Sequence, residues 1–239
     1  MRALMVEEWL EIWKEGLDGN RRGRHHRLVM MISTFGPFRP KAAAHLKVSY
    51  AVKGGKIVYG SQSEVRVIRG DPRWKQPYVL IVSKVDKNVD PSKVRRVPIP
   101  RKVLGVRVVE QLENYLLDLR PPTGGFLLAA PQGKGKWRST AFTAWGNVIQ
   151  GAYERTFPNI ELDDKIGGCS MRKSWPQWMQ RAGNSDREQV DICGWSRKSI
   201  QQRKGTKEVY VITELDSQLL IKQSIGRRLR QVQDAMAGR

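Results

Sequence analysis

Over the first fifteen positions apolar residues recur at three- and four-residue steps. Leu4, Trp9, Ile12 and Trp13 share one face and Glu7, Glu8 and Glu11 the other, which predicts an amphipathic helix over 3–15. The next run, GNRRGRHHR at 19–27, offers no apolar stripe to bury and reads as a Gly- and Arg-rich loop. LVMMISTFGPFRPKAAAHL (28–46) opens as a buried helix and breaks at Gly36-Pro37. It resumes as a short helix after Pro40, where a proline is tolerated. From 47 to 100 β-branched runs take over, punctuated by Gly54-Gly55 and by Gly70-Asp71-Pro72. EVRVI (64–68), YVLIVS (78–83) and VRRVPIP (94–100) predict three antiparallel strands, the last two joined as a hairpin by KVDKNVDPSK (84–93). Helical spacing then returns in Val106, Val109, Leu112, Leu116 and Leu119, closed by Pro121-Pro122. It recurs over 139–155 (Phe142, Trp145, Ile149, Tyr153) and after Arg172 (Trp175, Trp178, Met179, Ala182). A last helix from about 214 carries Leu215, Leu219, Ile225, Leu229, Val232 and Met236. The order predicts an α+β fold, mostly α: a helical domain with a small three-stranded antiparallel sheet.

Charge changes this picture from a generic domain to one with a polyanionic partner. The 239 residues hold 43 Lys+Arg against 23 Asp+Glu, a formal net charge of +20. A surplus of that size repels itself in the compact state, and releasing counterions from neutralised phosphates is the simplest compensation. Duplex DNA is therefore the expected partner, with structured RNA as the rival. No run approaches the roughly 18 apolar residues that span a bilayer. The acidic, amphipathic N-terminus does not fit a signal peptide, so no membrane partner and an intracellular location are expected. Two cysteines, Cys169 and Cys193, exclude a disulfide framework. With three histidines, they show no zinc-ligand spacing, so no cofactor or structural metal is expected.

Several chemistries are missing from the pattern. Carboxylates are scattered rather than clustered as a two-metal nuclease needs, and GKGK (133–136) lacks the Walker pattern. Phosphoryl transfer without metal has its own recipe: a side-chain nucleophile attacks in line, fixed cations neutralise the non-bridging oxygens, and an acid protonates the leaving oxygen. Tyr, two Arg and a Lys or His are the natural parts, and the chain holds them in a suggestive order.

Five blocks carry that order: TFGPFRPKAAAHL (34–46), YVLIVSKVDKN with RRVPIP, GGCSMRKSWPQWMQRAG (167–183), CGWSRK (193–198) and KEVYVITELDSQLLIKQSIG (207–226). Together they resemble the catalytic domain of tyrosine recombinases, particularly the divergent forms of eukaryotic mobile elements. The resemblance implies Arg39 and Arg172 as the two catalytic arginines and Lys84 as general acid, with Lys87 as its fallback. It implies Trp195 beside the phosphate and Tyr210 as nucleophile. Cys169 stands where the family has its histidine, and Ala42 where it has an acidic residue, three positions after the first arginine. The 15-residue gap from Trp195 to Tyr210 is longer than in bacterial and phage members and suits the eukaryotic type.

The resemblance also implies a tetramer assembled on DNA and, for a eukaryotic host, a nuclear location. The tail after Tyr210, with Leu215, Leu219 and Ile225, becomes a candidate for docking into a neighbouring subunit. The division expected is a helix and basic connector (1–27), the catalytic domain (28–226) and a basic tail (227–239). Arg21, Arg22, Arg24, Lys41 and Lys173 are the expected DNA contacts.

Each residue has a plainer reading. Arg39 could cap a helix at the surface, Arg172 could pair with Asp163 or Asp164, and Tyr210 could be a core aromatic of a VYVI strand. Tyr78, Tyr115 and Tyr153 fit core faces better than a reaction centre. Cys169 reads as inert and partly buried. The whole chain could be a DNA-binding relative that has lost catalysis through Cys169 and Ala42.

Overall fold

The structure is a computed structural model that describes residues 2–83, 95–132, 136–138, 142–160, 165–185, 188–189, 192 and 215–237. The expected class holds: a mostly helical α+β fold around a small antiparallel sheet. Among the described residues no helix is long and apolar enough to cross a membrane.

Helix α1 (Val6–Glu11) runs into a π-helical turn, Ile12–Gly16. The Glu8 carboxylate reaches back to accept the Met5 N–H at 2.7 Å and so closes the first turn. Helix α2 spans Arg21–Phe35. This corrects the loop expected at 19–27. Asn20 caps the helix by accepting the Gly23 N–H at 2.9 Å, and Arg27 reaches back to the Trp13 and Leu17 carbonyls at 3.1 and 2.8 Å. One of the arginines that made the run look loop-like, Arg27, thus binds the carbonyl end of the preceding turn.

Gly23 is required there by space. A Cβ on it would lie 1.7 Å from the Asp18 carbonyl oxygen, a backbone atom that cannot move alone. Gly23→Ala is expected to cost about 2 kcal/mol, in the range of overpacking, read as a lower denaturant midpoint at unchanged slope.

Short helix α3 (Pro40–Ala44) follows the break at Gly36 as expected. Next comes an element the pattern did not disclose, a ribbon of β1 (Tyr50–Lys53) and β2 (Lys56–Tyr59). Its two-residue turn is Gly54-Gly55 with φ +54° and +71°, the positive pair that a type I′ turn needs. Strands β3 (Val65–Ile68), β4 (Tyr78–Ser83) and β5 (Arg95–Pro100) form the predicted sheet, in that order and antiparallel. Pro98 and Pro100 cannot donate to a further strand, which suits β5 to the edge.

A two-stranded turn, β6 (Lys102–Val103) with β7 (Val106–Arg107), precedes α4 (Val108–Leu119). Val106 therefore belongs to a strand and not to the helix. After β8 (Ala130–Pro131) and β9 (Trp137–Arg138) come α5 (Phe142–Thr156), α6 (Gly168–Arg181) and α7 (Leu215–Ala237). Helix α7 packs on β5, β6 and α6 of its own chain. Leu219 and Ile225, expected to dock into a neighbouring subunit, are fully buried in this fold, a second correction.

The centre of the helical layer is aromatic. The Trp9 ring lies 5.1 Å from Phe35 and 6.2 Å from Trp178, and Trp175 lies 5.8 Å from Trp178. These four rings join α1, α2 and α6 at distances where edge-to-face contacts are favourable.

Candidate active site

Arg39 is the N-cap of α3, half-buried, and Pro40 supplies the first helical residue. Helix α3 packs against α6, whose second turn carries Arg172, also half-buried. The two arginines expected to work together thus sit on elements in contact. Helix α6 begins at Gly168, earlier than the apolar spacing suggests, because the Ser170 hydroxyl accepts the Gly167 N–H at 3.0 Å and closes the first turn. Close packing also demands small residues here: a Cβ on Gly146 of α5 would lie 3.1 Å from the Gly168 nitrogen.

The N-terminal segment braces this helix from behind. The Leu4 N–H donates to Ser174 Oγ at 2.9 Å, and Trp178 Nε1 donates to the Leu4 carbonyl at 2.8 Å.

The loop end of the β4–β5 hairpin lies beside Phe38, the residue before Arg39. Ser83, the chain neighbour of Lys84, pairs in register with Arg95. The Arg95 guanidinium sits 4.9 Å over the ring of Phe38, the residue before Arg39. It also donates to the Ile192 carbonyl at 2.8 Å, one residue before the CGWSRK block. Arg95 therefore ties two of the five blocks to the residue that precedes a third, and sequence reasoning missed it.

Cys169 is half-buried in the first turn of α6, and Lys173 and Lys41 are exposed next to Arg172 and close to Arg39 in the chain. Ala42, three positions after Arg39, is buried. Arg21, Arg22 and Arg24 are exposed on the first turn of α2, roughly 20 Å of helix away from Arg39 at 1.5 Å per residue. The structure does not bring this trio to the arginine pair. Arg24 pairs with Asp118 at 2.9 Å, and Arg21 donates to the Leu119 carbonyl at 3.3 Å. His25 in the same stretch is buried, and that burial, with His26 alongside, pushes its pKa down to about 3. It is therefore neutral and adds no cation to this surface. Lys84, Lys87, Trp195 and Tyr210, like Asp163 and Asp164, lie outside the described residues.

The chain has six tyrosines, and the described residues include five of them. Tyr50 donates to the Pro121 carbonyl at 2.8 Å, Tyr78 to Asp71 at 2.8 Å, Tyr115 to the Leu127 carbonyl at 3.3 Å and Tyr153 to Glu8 at 3.1 Å. The Tyr59 hydroxyl is buried without a hydrogen-bond partner. Burial raises the pKa of all five, and with the Asp71 bond pushes Tyr78 up to about 12. A nucleophilic phenol needs access and an easier ionisation, the opposite of each of these environments.

No protein-family model and no curated protein matches the sequence. Solved structures do. The chain is similar to the XerH site-specific recombinase bound to its difH substrate in a pre-cleavage complex, with TM-score 0.56 and 14% identity over 87% of this chain and 51% of that one. It is similar to the lambda integrase catalytic core, with TM-score 0.52 and 14% identity over 81% of this chain and 95% of that one. A lambda integrase dimer bound to a COC′ core site gives 0.53 and 13%, over 89% and 63%. The chain spans about half the length of the XerH protein. At these identities the likeness is one of fold, and the fold is that of a recombinase catalytic core.

Proposed function

We propose that this chain is the catalytic domain of a tyrosine recombinase-like DNA strand transferase, acting on duplex DNA as a tetramer. The observation that carries the reading is the convergence around Arg39. Helix α3 packs on the helix of Arg172, and Arg95 draws the hairpin end and the approach to the Trp195 block onto Phe38. The tyrosines add support by elimination, since the other five hydroxyls are buried or bonded within the fold.

In the proposed reaction the Tyr210 oxygen forms a bond to a DNA phosphorus as the phenol loses its proton to water. The bond from phosphorus to the 5′ oxygen breaks, and Lys84 (or Lys87 in its place) protonates that oxygen as it leaves. Arg39 and Arg172 neutralise the two non-bridging oxygens, whose charge grows in the transition state. The 3′-phosphotyrosyl bond keeps the energy of the broken one, so a second 5′ hydroxyl can reverse the step on a new strand. Trp195 packs beside the phosphate. Lys41 and Lys173 flank the arginines as backbone contacts that position the duplex without reading its sequence, while Arg21, Arg22 and Arg24 form a second contact region.

The test is incubation of the chain with nicked or phosphorothiolate-modified duplex, without added metal, followed by a denaturing gel. A covalent protein–DNA adduct supports the reading. A chain that binds duplex with strong salt dependence but forms no adduct on any such substrate overturns it.

A second reading is favoured by one feature, Cys169 in the position of the family's histidine: a DNA-binding domain of the same fold without strand transfer. A thiol is a poor hydrogen-bond donor to a phosphate oxygen. Cys169→His is expected to raise the rate of adduct formation about tenfold or more, since a single well-placed donor is worth about 100-fold. An adduct seen only with the histidine variant would establish the second reading.

A further inference from the structure

We propose that β5 is an anchoring strand: Arg95 near one end and the Pro98 carbonyl further along hold the two flanks of the stretch that carries Trp195 and Tyr210. The inference deepens the recombinase reading and rests on it for its catalytic consequence.

Strand β5 is an edge, and its outer carbonyls need donors from elsewhere. Helix α7 supplies one. Lys222 is fully buried in α7, and its Nζ donates to the Pro98 carbonyl at 2.8 Å. Leu219, Ile221 and Ile225 are buried around it on the same helix. A lysine in so dry a place is costly unless it is bonded, so its presence points to a fixed geometry rather than to generic adhesion. Three residues earlier on β5, Arg95 donates to the Ile192 carbonyl at 2.8 Å while its guanidinium lies on Phe38. Ile192 is itself fully buried.

The two anchors are thus about 10 Å apart on one strand at 3.3 Å per residue. One pins the chain at Ile192, three residues before Trp195, and the other pins α7, which starts five residues after Tyr210. The same strand pairs with β4 up to Ser83, the neighbour of Lys84. The described neighbours of the acid, tryptophan and nucleophile positions are then all tied to β5, and through Phe38 to Arg39. In this reading Arg95 and Lys222 act through the segments they hold, as positioning residues.

The experiment compares the full-length wild-type chain with Arg95→Met, Arg95→Lys and Lys222→Met by hydrogen exchange with mass spectrometry, duplex binding and adduct formation on the nicked substrate. Arg95→Met should raise exchange in peptides covering 188–198, and Lys222→Met in those covering 215–225, with α2 and α4 unaffected. Duplex affinity should stay within about twofold, because the bulk of the basic surface is untouched. Adduct formation should fall at least tenfold in both. Arg95→Lys keeps a cation over Phe38 and one donor toward Ile192, and should recover most of the rate lost in Arg95→Met at the same thermal midpoint. A purely structural role would not give that separation.

Unchanged exchange at both flanks overturns the anchoring whatever the wild-type chain does to DNA. Wild-type rates in Arg95→Met and Lys222→Met overturn the catalytic consequence. Local exchange changes with no adduct from the wild-type chain leave the anchoring in place and remove the recombinase reading instead.

Discussion

Replacing Tyr210 with phenylalanine is expected to remove the covalent protein–DNA adduct below detection while duplex affinity stays within about twofold, since no charge that binds phosphate is lost. The size of the effect follows from the kind of role. A nucleophile has no partial substitute: without the phenolic oxygen no bond to phosphorus forms. The arginines differ. Arg172→Ala deletes one of two cations facing the developing charge, and removing a single preorganised donor costs roughly 10²–10³ in rate, about 3–4 kcal/mol. That variant should therefore still yield a slow adduct on a suicide substrate over long incubation. The contrast between zero and slow separates the two roles on one gel. Tyr153→Phe and Tyr78→Phe are the controls. Their hydroxyls are committed to Glu8 and Asp71, so both variants should form adduct at near wild-type rates. Adduct persisting in Tyr210→Phe, or vanishing in Tyr78→Phe, would move the nucleophile to another residue.

The parts of this fold that were legible in the sequence are those whose pattern answers to one local rule. YVLIVS alternates around a buried β4 and occupies residues 78–83 as the β-branched run suggested. The break at Gly36-Pro37 and the restart at Pro40 follow from proline's missing donor and fixed φ. The elements that were misread depend on distant partners. Residues 21–27 looked unable to pack because arginine and histidine dominate them. Their helix is held by Arg27 reaching the Trp13 and Leu17 carbonyls and by His25 lying 3.2 Å from the Tyr115 hydroxyl across the core. A window of 11–18 residues reaches Trp13 and Leu17 but shows no apolar stripe that would mark their carbonyls as partners, and it never reaches Tyr115.

The β1–β2 ribbon was hidden for another reason. Most of its side chains are exposed, so hydrophobic alternation is weak, and only the Gly54-Gly55 turn marked it. At the candidate site, Arg39 and Arg172 were singled out because ordered blocks resemble a family. Arg95 was missed because its role exists only once β5, Phe38 and Ile192 meet in space.

Trp178→Ala is expected to be the most damaging single change to stability among the core aromatics, and the site explains why it also bears on function. The ring is fully buried, meets Trp9 and Trp175 edge-on at 6.2 and 5.8 Å, and donates to the Leu4 carbonyl. Truncating a buried tryptophan costs about 3–5 kcal/mol through lost burial and the cavity left behind. The Leu4 carbonyl would also lose its buried donor, which places the variant at the upper part of that range. For a chain of this size each kcal/mol lowers the melting midpoint by about 2–4 °C, so a drop of roughly 10 °C or more is expected by calorimetry.

Trp13 is the comparison. It stacks on Trp9 at 5.3 Å but is only half-buried, and its alanine variant should lose about half as much. The functional consequence follows from the helix. Trp178 lies six residues after Arg172 on α6, and its bond to Leu4 braces that helix against the N-terminal segment. Assayed well below its midpoint, the Trp178 variant should bind duplex normally yet form adduct more slowly than the Trp13 variant, because α6 then presents Arg172 on a looser support. Equal adduct rates in the two variants, despite unequal melting midpoints, would mean that the packing behind α6 sets stability alone and that the arginine's position is held from the β5 side.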